Sequence, residues 1–258
     1  MKILSFRCSP RPNLTATSRQ LSTKGFDIVV AHHNEDLTWL QPLASNATIY
    51  SKGDMPTPSQ AFRQTIKLDN IGRESHTYLY HVVSRYESLA EVTLFVQGSP
   101  SSVSSPRCHT NLIIAQLGSK AMELKTGEMM TFGPRGKFKQ FDSWNGIDWY
   151  DDVSHAHWLR HQKGTHLWAD CTPAQFFADA FGREHPASID YVEGAFFAVR
   201  AEIIPSGPRT VYEHLLDKFT DLNHINPKIG HFMERFWGEL FVGGMALSGS
   251  QNNAPRKL

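Results

Sequence analysis

Cysteine is scarce. Only Cys8, Cys108 and Cys171 occur, an odd and widely spaced set. That excludes a disulfide framework and a cysteine zinc cluster, and it fits a reduced compartment. No apolar run approaches the ~20 residues of a membrane helix. The apolar stretch in MKILSFRCSPRP ends at Arg7 and is too short for a secretion signal. A soluble, cytoplasmic protein with no membrane partner is expected. Charge of one sign is also missing: 26 basic residues face 25 acidic ones. The whole surface is therefore no polyanion trap, although a local basic patch is still allowed. There is no Gly-rich phosphate loop, no G-x-S-x-G elbow and no H-E-x-x-H helix.

What is present is a core. At 258 residues and 40% hydrophobic content, one domain is favoured over two. Residues 1–24 are rich in Ser, Thr, Arg and Pro and read as a flexible arm. Residues 25–245 read as the folded domain, and 246–258 as a disordered tail. Asp27–Ala31, Ala47–Gly53, Val92–Val96 and Gly194–Arg200 read as strands. The first is a continuous β-branched run, the mark of a strand buried on both faces. Ile71–Leu89 is the strongest helix, with Leu79, Val82, Val83, Tyr86 and Leu89 at helical spacing. Further helices are expected near Thr110–Leu117, Pro173–Phe181, Tyr212–Phe219 and Gly230–Phe241. Residues 54–70 read as loop. Strand and helix alternate, which predicts an α/β fold: a mainly parallel sheet with helices on both faces, Rossmann-like.

In such a sheet, ligands bind at the carboxyl ends of the strands. The stretch VTLFVQGSP (Val92–Pro100) places Gln97 and Ser99 there, with no acid. HHNED (His32–Asp36) follows the first strand. Asn34 and Glu35 are either substrate contacts or part of a helix cap. GRESH (Gly72–His76) opens the long helix. Arg73, Glu74 and His76 there suit an anion or carboxylate, or are ordinary first-turn residues. DWYDDVSHAHW holds Asp151, Asp152, His155 and His157. The two histidines share a strand face, but no neighbouring ligand completes a metal set. SIDYVEGAFFAVR puts Asp190 and Glu193 just before a buried strand, where they read either as a base with a raised pKa or as incidental charge on a solvated loop. Glu234 and Arg235, on the aromatic helix GHFMERFWGELF, either form a structural ion pair or line the site. Basic residues Arg135, Lys137 and Lys139 interleave with Phe138 and Phe141, and Arg160 and Lys163 lie further on. They read as a nucleic-acid track or a solvated face.

Three segments taken together are VVAHHNEDLTWL…IYSKG, NIGRESHTYLYHVV…VTLFVQGSP and GAFFAVR…GHFMERFWGELF. Over roughly residues 26–242 they resemble a fungal and bacterial domain family that looks like a degenerate glycosyltransferase of the A-type fold. In that fold an Asp-x-Asp pair holds a divalent metal and a sugar diphosphate. Here Gln97-Gly98-Ser99 stands in its place, so a hard metal lacks those ligands. One branch resembling the family is the fungal arginine-containing cyclodipeptide synthases, with an Asp-Asp-x-x-Glu signature. IDYVE (Ile189–Glu193) keeps the second Asp and the Glu. DDVSH (Asp151–His155) keeps both Asp. The resemblance implies an enzyme that joins arginine from arginyl-tRNA to an amino acid from a second aminoacyl-tRNA, with no metal or other cofactor. Glu193 and Asp190 would be the catalytic acids. A nucleotide-sugar transferase and an inactive binding protein of the same fold are the alternatives.

Overall fold

The computed structural model describes residues 3–6, 25–57, 62–99, 118–132, 135–139, 166–167, 169–192, 194–206 and 208–243. In chain order the strands and helices are β1 (Ile3–Phe6), β2 (Phe26–His32), β3 (Ala47–Ser51), β4 (Gln64–Lys67), α1 (Arg73–Arg85), β5 (Val92–Gln97), β6 (Met129–Phe132), β7 (Arg135–Lys139), β8 (His166–Leu167), α2 (Pro173–Phe181), β9 (Ser188–Val192), β10 (Phe197–Arg200), α3 (Arg209–Leu222), β11 (Asn226–Pro227) and α4 (Lys228–Gly238).

The main sheet has seven strands in the order β1-β6-β10-β5-β2-β3-β4. All neighbours run parallel except at β10, which is antiparallel to both β5 and β6. The expected α/β, Rossmann-like sheet is therefore present, with one inserted antiparallel strand. Two small two-stranded ladders, β7 with β9 and β8 with β11, lie outside it.

The apolar runs explain the layering. Side chains alternate across a strand. In β2, Phe26, Ile28 and Val30 join one cluster with Leu40, Leu43, Ile49, Leu94 and Phe132. Val29 joins the other, with Phe95, Tyr78, Leu79, Phe232, Phe236 and Trp237. Both faces are covered, so β2 needs no polar face. The second cluster is rich in aromatic rings: Trp237 stacks on Phe241 at 5.9 Å and Phe197 meets Trp237 at 5.3 Å. Truncating one such ring to Ala typically costs about 3–5 kcal/mol.

Several elements differ from the sequence expectation. Ile3–Phe6, placed in the N-terminal arm, pairs in parallel with β6 as an edge strand. Four residues of the span read as loop, Gln64–Lys67, form β4 on the opposite edge. The apolar stripe after HHNED is a 3₁₀ helix, Thr38–Asn46, with Pro42 inside it. Proline has no N–H for an i→i−4 ladder, so the tighter winding suits it. The helices predicted within α3 and α4 begin two or three residues earlier than expected. Ser188–Val192 is a strand in its own right, paired with β7. α2 fulfils its expectation with a full capping box. Gln175 N–H donates to Thr172 Oγ1 at 3.2 Å, and Thr172 N–H donates back to Gln175 Oε1 at 2.8 Å. The predicted helix Thr110–Leu117 and most of the Ser-rich loop lie outside the described residues. Among the described residues no helix is long and apolar enough to cross a membrane.

Candidate functional site

β2 is flanked by β3 on one side and β5 on the other, and β4 lies beyond β3. The chain order changes direction between β2 and β5, so the crevice at their carboxyl ends is the topological switch point. His32, Ser51, Lys52, Gln97 and Gly98 stand at these ends.

The HHNED turn packs into that crevice. The His32 ring is buried, with Nδ1 3.0 Å from Ser51 Oγ and Nε2 3.2 Å from the Glu35 carbonyl. Burial pushes its pKa down, and nearby Glu35 opposes the shift. Asn34 Oδ1 accepts the Asp54 N–H at 2.7 Å. Asp36 accepts the Thr38 N–H at 2.9 Å and its hydroxyl at 2.8 Å, a local turn just before the helix, whose N-cap residue Leu37 makes no side-chain cap hydrogen bond. Glu35 instead lies over the uncharged strand end. A Cβ on Gly98 would meet Glu35 Oε2 at 2.4 Å, and one on Gly53 would meet the His33 carbonyl oxygen at 1.9 Å. Gly53 needs glycine because the backbone of the turn approaches so closely, whereas at Gly98 the near atom is the tip of the flexible Glu35 side chain. The QGSP end carries no acid of its own, yet a carboxylate is delivered to it from β2. Trp39 Nε1 donates to the Gly98 carbonyl at 3.0 Å and fixes the other side of that turn.

GRESH meets the same end of the sheet. Gly72 (φ 61°) and Arg73 (φ 47°) are both left-handed at the start of α1. Lys52 is almost fully buried, and its Nζ donates to the carbonyls of Ile71 and Arg73 on either side of Gly72. Burial pushes the Lys52 pKa down to about 7, against the pull of Glu74. Burial also raises the Glu74 carboxyl. Arg73 opposes this, with Nε 3.9 Å from Glu74 Oε2, while the like charge of Glu234 adds to it. His76 is buried and its pKa is pushed down to about 3, chiefly by burial and secondarily by Lys52. Its Nδ1 has no hydrogen-bond partner among the described residues. Arg73 Nη1 reaches Asn226 Oδ1 at 3.4 Å. The structure thus brings Arg73, Glu74 and His76 together around a lysine for which the sequence offered no signal beyond SKG at a strand end.

The third component comes from β9 and α4. Gln97 Nε2 donates to the Gly194 carbonyl at 3.1 Å. Gly194 N–H donates to Glu234 Oε1 at 2.5 Å, and Arg235 Nη1 donates to Glu234 Oε2 at 2.6 Å. The Arg235 guanidinium lies 5.1 Å from the Tyr191 ring centroid. Asp190 is exposed on β9, in register with Lys137 of β7. A small, mostly apolar cleft is lined by Met129, Phe196, Phe197 and Trp237 together with Asp190, Tyr191, Glu234 and Arg235. Glu234 is ion-paired with Arg235, and it lines this cleft. Ser99 is half-buried at the β5 turn. The backbones of Arg135, Lys137 and Lys139 form β7, beside the acidic segment. Glu193, Asp151, Asp152, His155, His157, Arg160 and Lys163 lie outside the described residues.

A second polar cluster belongs to the opposite end of the sheet. Asp27 is buried and ion-paired with Arg63, and accepts the Thr48 hydroxyl at 3.1 Å. Burial raises its pKa. His81 Nδ1 lies 2.9 Å from the Tyr50 hydroxyl, and burial pushes this imidazole down to about 3. Asp27 and Thr48 lie near the amino ends of β2 and β3, and the contact of Tyr50, further along β3, with His81 ties α1 to the sheet.

Residues 28–131 match the model of a domain family described as a protein of unknown function, DUF3431. That stretch runs from β2 into β6 and contains HHNED, Lys52, GRESH and the QGSP turn, but not β9 or α4. No curated protein and no solved structure matches the chain.

Proposed function

We propose that the chain is an aminoacyl-tRNA-dependent cyclodipeptide synthase that joins arginine to a second amino acid. The observation that carries this reading is the tie from Gln97 through Gly194 to Glu234. It brings Gly194, the residue that closes DYVEG in the sequence, and Glu234 to the β5 strand end, which has no acid of its own.

The chemistry needs little more than acids, donors and positioning. The α-amine of one aminoacyl ester attacks the carbonyl carbon of the other. A peptide bond forms, the ester C–O bond breaks, and the departing ribose oxygen takes up a proton. The remaining amine then attacks the remaining ester and closes the six-membered ring, releasing the second tRNA. Each amine must first lose its ammonium proton. Glu74, whose carboxyl is raised by burial, is suited to take it. Glu193 is the further candidate. Gln97 spends one amide N–H on Gly194 and has a second to offer an ester carbonyl.

Arginine recognition is supported by the company Arg235 keeps. Its guanidinium lies over Tyr191 and pairs with Glu234. A ring face and a carboxylate are what a substrate guanidinium would also use, and exposed Asp190 lines the same cleft. Arg135, Lys137 and Lys139 on the adjoining strand suit a tRNA backbone.

The test is metabolite profiling after expression in a bacterial host. A cyclic Arg-Xaa product supports the synthase. Its absence, with a nucleotide sugar plus Mn²⁺ raising the melting temperature, favours the sugar-transferase alternative. Absence with no such shift favours an inactive binding protein.

A further inference from the structure

The geometry points to Lys52 as the positioning residue of this site: its ammonium clamps the left-handed Gly72–Arg73 turn and so sets where Glu74 stands. The link to catalysis rests on the synthase reading; the clamp itself does not.

Four observations carry it. Lys52 immediately follows β3, and only 7% of its surface is exposed, where lysine is almost never found without a purpose for its charge. Both hydrogen bonds from Nζ go to main-chain carbonyls, Ile71 and Arg73, which bracket Gly72. The bracketed backbone is of a kind that non-glycine residues rarely adopt, since Arg73 has φ 47° directly after Gly72 at φ 61°. Such a conformation persists only where its surroundings enforce it. Finally, Gly72 has no room for a side chain. A Cβ there would meet His76 Cβ and the Phe219 ring, each at 2.7 Å, and Gly72 N–H donates to the His224 carbonyl at 2.8 Å. The turn is thus fixed by α3 and the segment after it from outside, and by Lys52 from the sheet side.

The carboxylate one residue beyond the clamp is Glu74. Its neighbours are Arg73, Lys52 and Glu234. A shift in the turn moves that carboxylate relative to Gly194 and the β5 end, because Glu234 holds the Gly194 N–H. The charged and titratable groups facing Lys52 are Arg73, Glu74 and His76, all on α1. Next to it on the chain, Lys67 of β4 donates to the Gly53 carbonyl.

The experiment is amide hydrogen exchange on Lys52→Met, which keeps the aliphatic stem and removes the donors, and on Lys52→Arg, which keeps charge and donors. In Lys52→Met the amides of residues 72–76 should exchange about tenfold faster or more, with β2 and β5 unchanged. Product formation should fall at least about tenfold in kcat with KM within about twofold. Lys52→Arg should recover part of both losses. Unchanged exchange at residues 72–76 in Lys52→Met overturns the clamp. Faster exchange with unchanged kcat overturns its role in positioning Glu74. If the wild type makes no product, the synthase reading fails and the exchange data still decide the clamp. If Lys52→Met does not fold, the wild type itself decides. A neutral amine is the weaker donor. Protection of residues 72–76 relative to β5, corrected for intrinsic exchange, should therefore fall as pH rises through about 7, to which burial brings Lys52, and a ratio still flat above about pH 10.4, where even an ordinary lysine is neutral, overturns the proposal.

Discussion

Gln97 and Gly194 are joined across the carboxyl end of the sheet by a 3.1 Å hydrogen bond from the Gln97 amide to the Gly194 carbonyl. A strand end with no charge is thereby tied to the segment richest in candidate acids. Gln97→Ala removes the tie. One hydrogen bond of this kind contributes about 1 kcal/mol, so the melting temperature should drop by only a few degrees. Product formation should fall about tenfold or more, because the displaced segment carries Asp190 and Glu193. Circular dichroism melting and product quantification read both. A large loss of stability with specific activity intact would place Gln97 in the scaffold alone.

Glu74→Gln separates function from stability. The carboxyl is held largely out of water, 16% exposed, near the like charge of Glu234. Removing a poorly solvated carboxylate should leave the melting temperature unchanged or slightly higher, as is common where a site is built at the expense of stability. Activity should fall by about a hundredfold or more if Glu74 takes the ammonium proton. Near-normal turnover would move that role to Glu193.

Acid should destabilise the fold through two buried imidazoles. His76 and His81 each titrate at about 3 in the folded chain, against 6.5 for the ordinary group. Between those values the unfolded chain binds protons that the folded chain does not. The stability they contribute is present above about pH 6.5 and is lost as pH falls toward 3. The carboxyls of Asp27 and Glu74, raised by burial, act in the opposite sense. Comparing the wild type with His76→Phe isolates one imidazole. The wild type should lose stability relative to the variant as pH drops from about 6.5 to about 4. A difference that stays constant with pH would show that His76 does not titrate this way.

The parts of the fold that were legible in the sequence are those decided by local pattern. FDIVV, ATIYS and VTLFV are mostly apolar and carry β-branched or aromatic residues on both faces, so they read as strands buried on both sides. α1 carries its apolar stripe at helical spacing, and GRESH marked its start correctly. β4 was not legible, because QTIK offers only four residues between loops and gains its place from pairing with β3. The antiparallel direction of β10 leaves no trace in its residues, since GAFFAVR is buried on both faces either way. At the site, residue types announced Arg73, Glu74 and Glu234, but not their neighbours. The burial of Lys52 is decided by carbonyls 19 and 21 residues further on. Likewise, the guanidinium of Arg235 meets the Tyr191 ring only when α4 packs on β9. Such pairings are tertiary and carry no local signal.

The central claim is peptide-bond formation from two charged tRNAs. It is tested most directly by incubating purified protein with arginyl-tRNA bearing labelled arginine and a mixture of other aminoacyl-tRNAs, followed by mass spectrometry. The account predicts a labelled cyclic Arg-Xaa dipeptide, made without added metal and lost in Glu74→Gln. Release of free arginine alone, or no turnover of the ester at all, would contradict it.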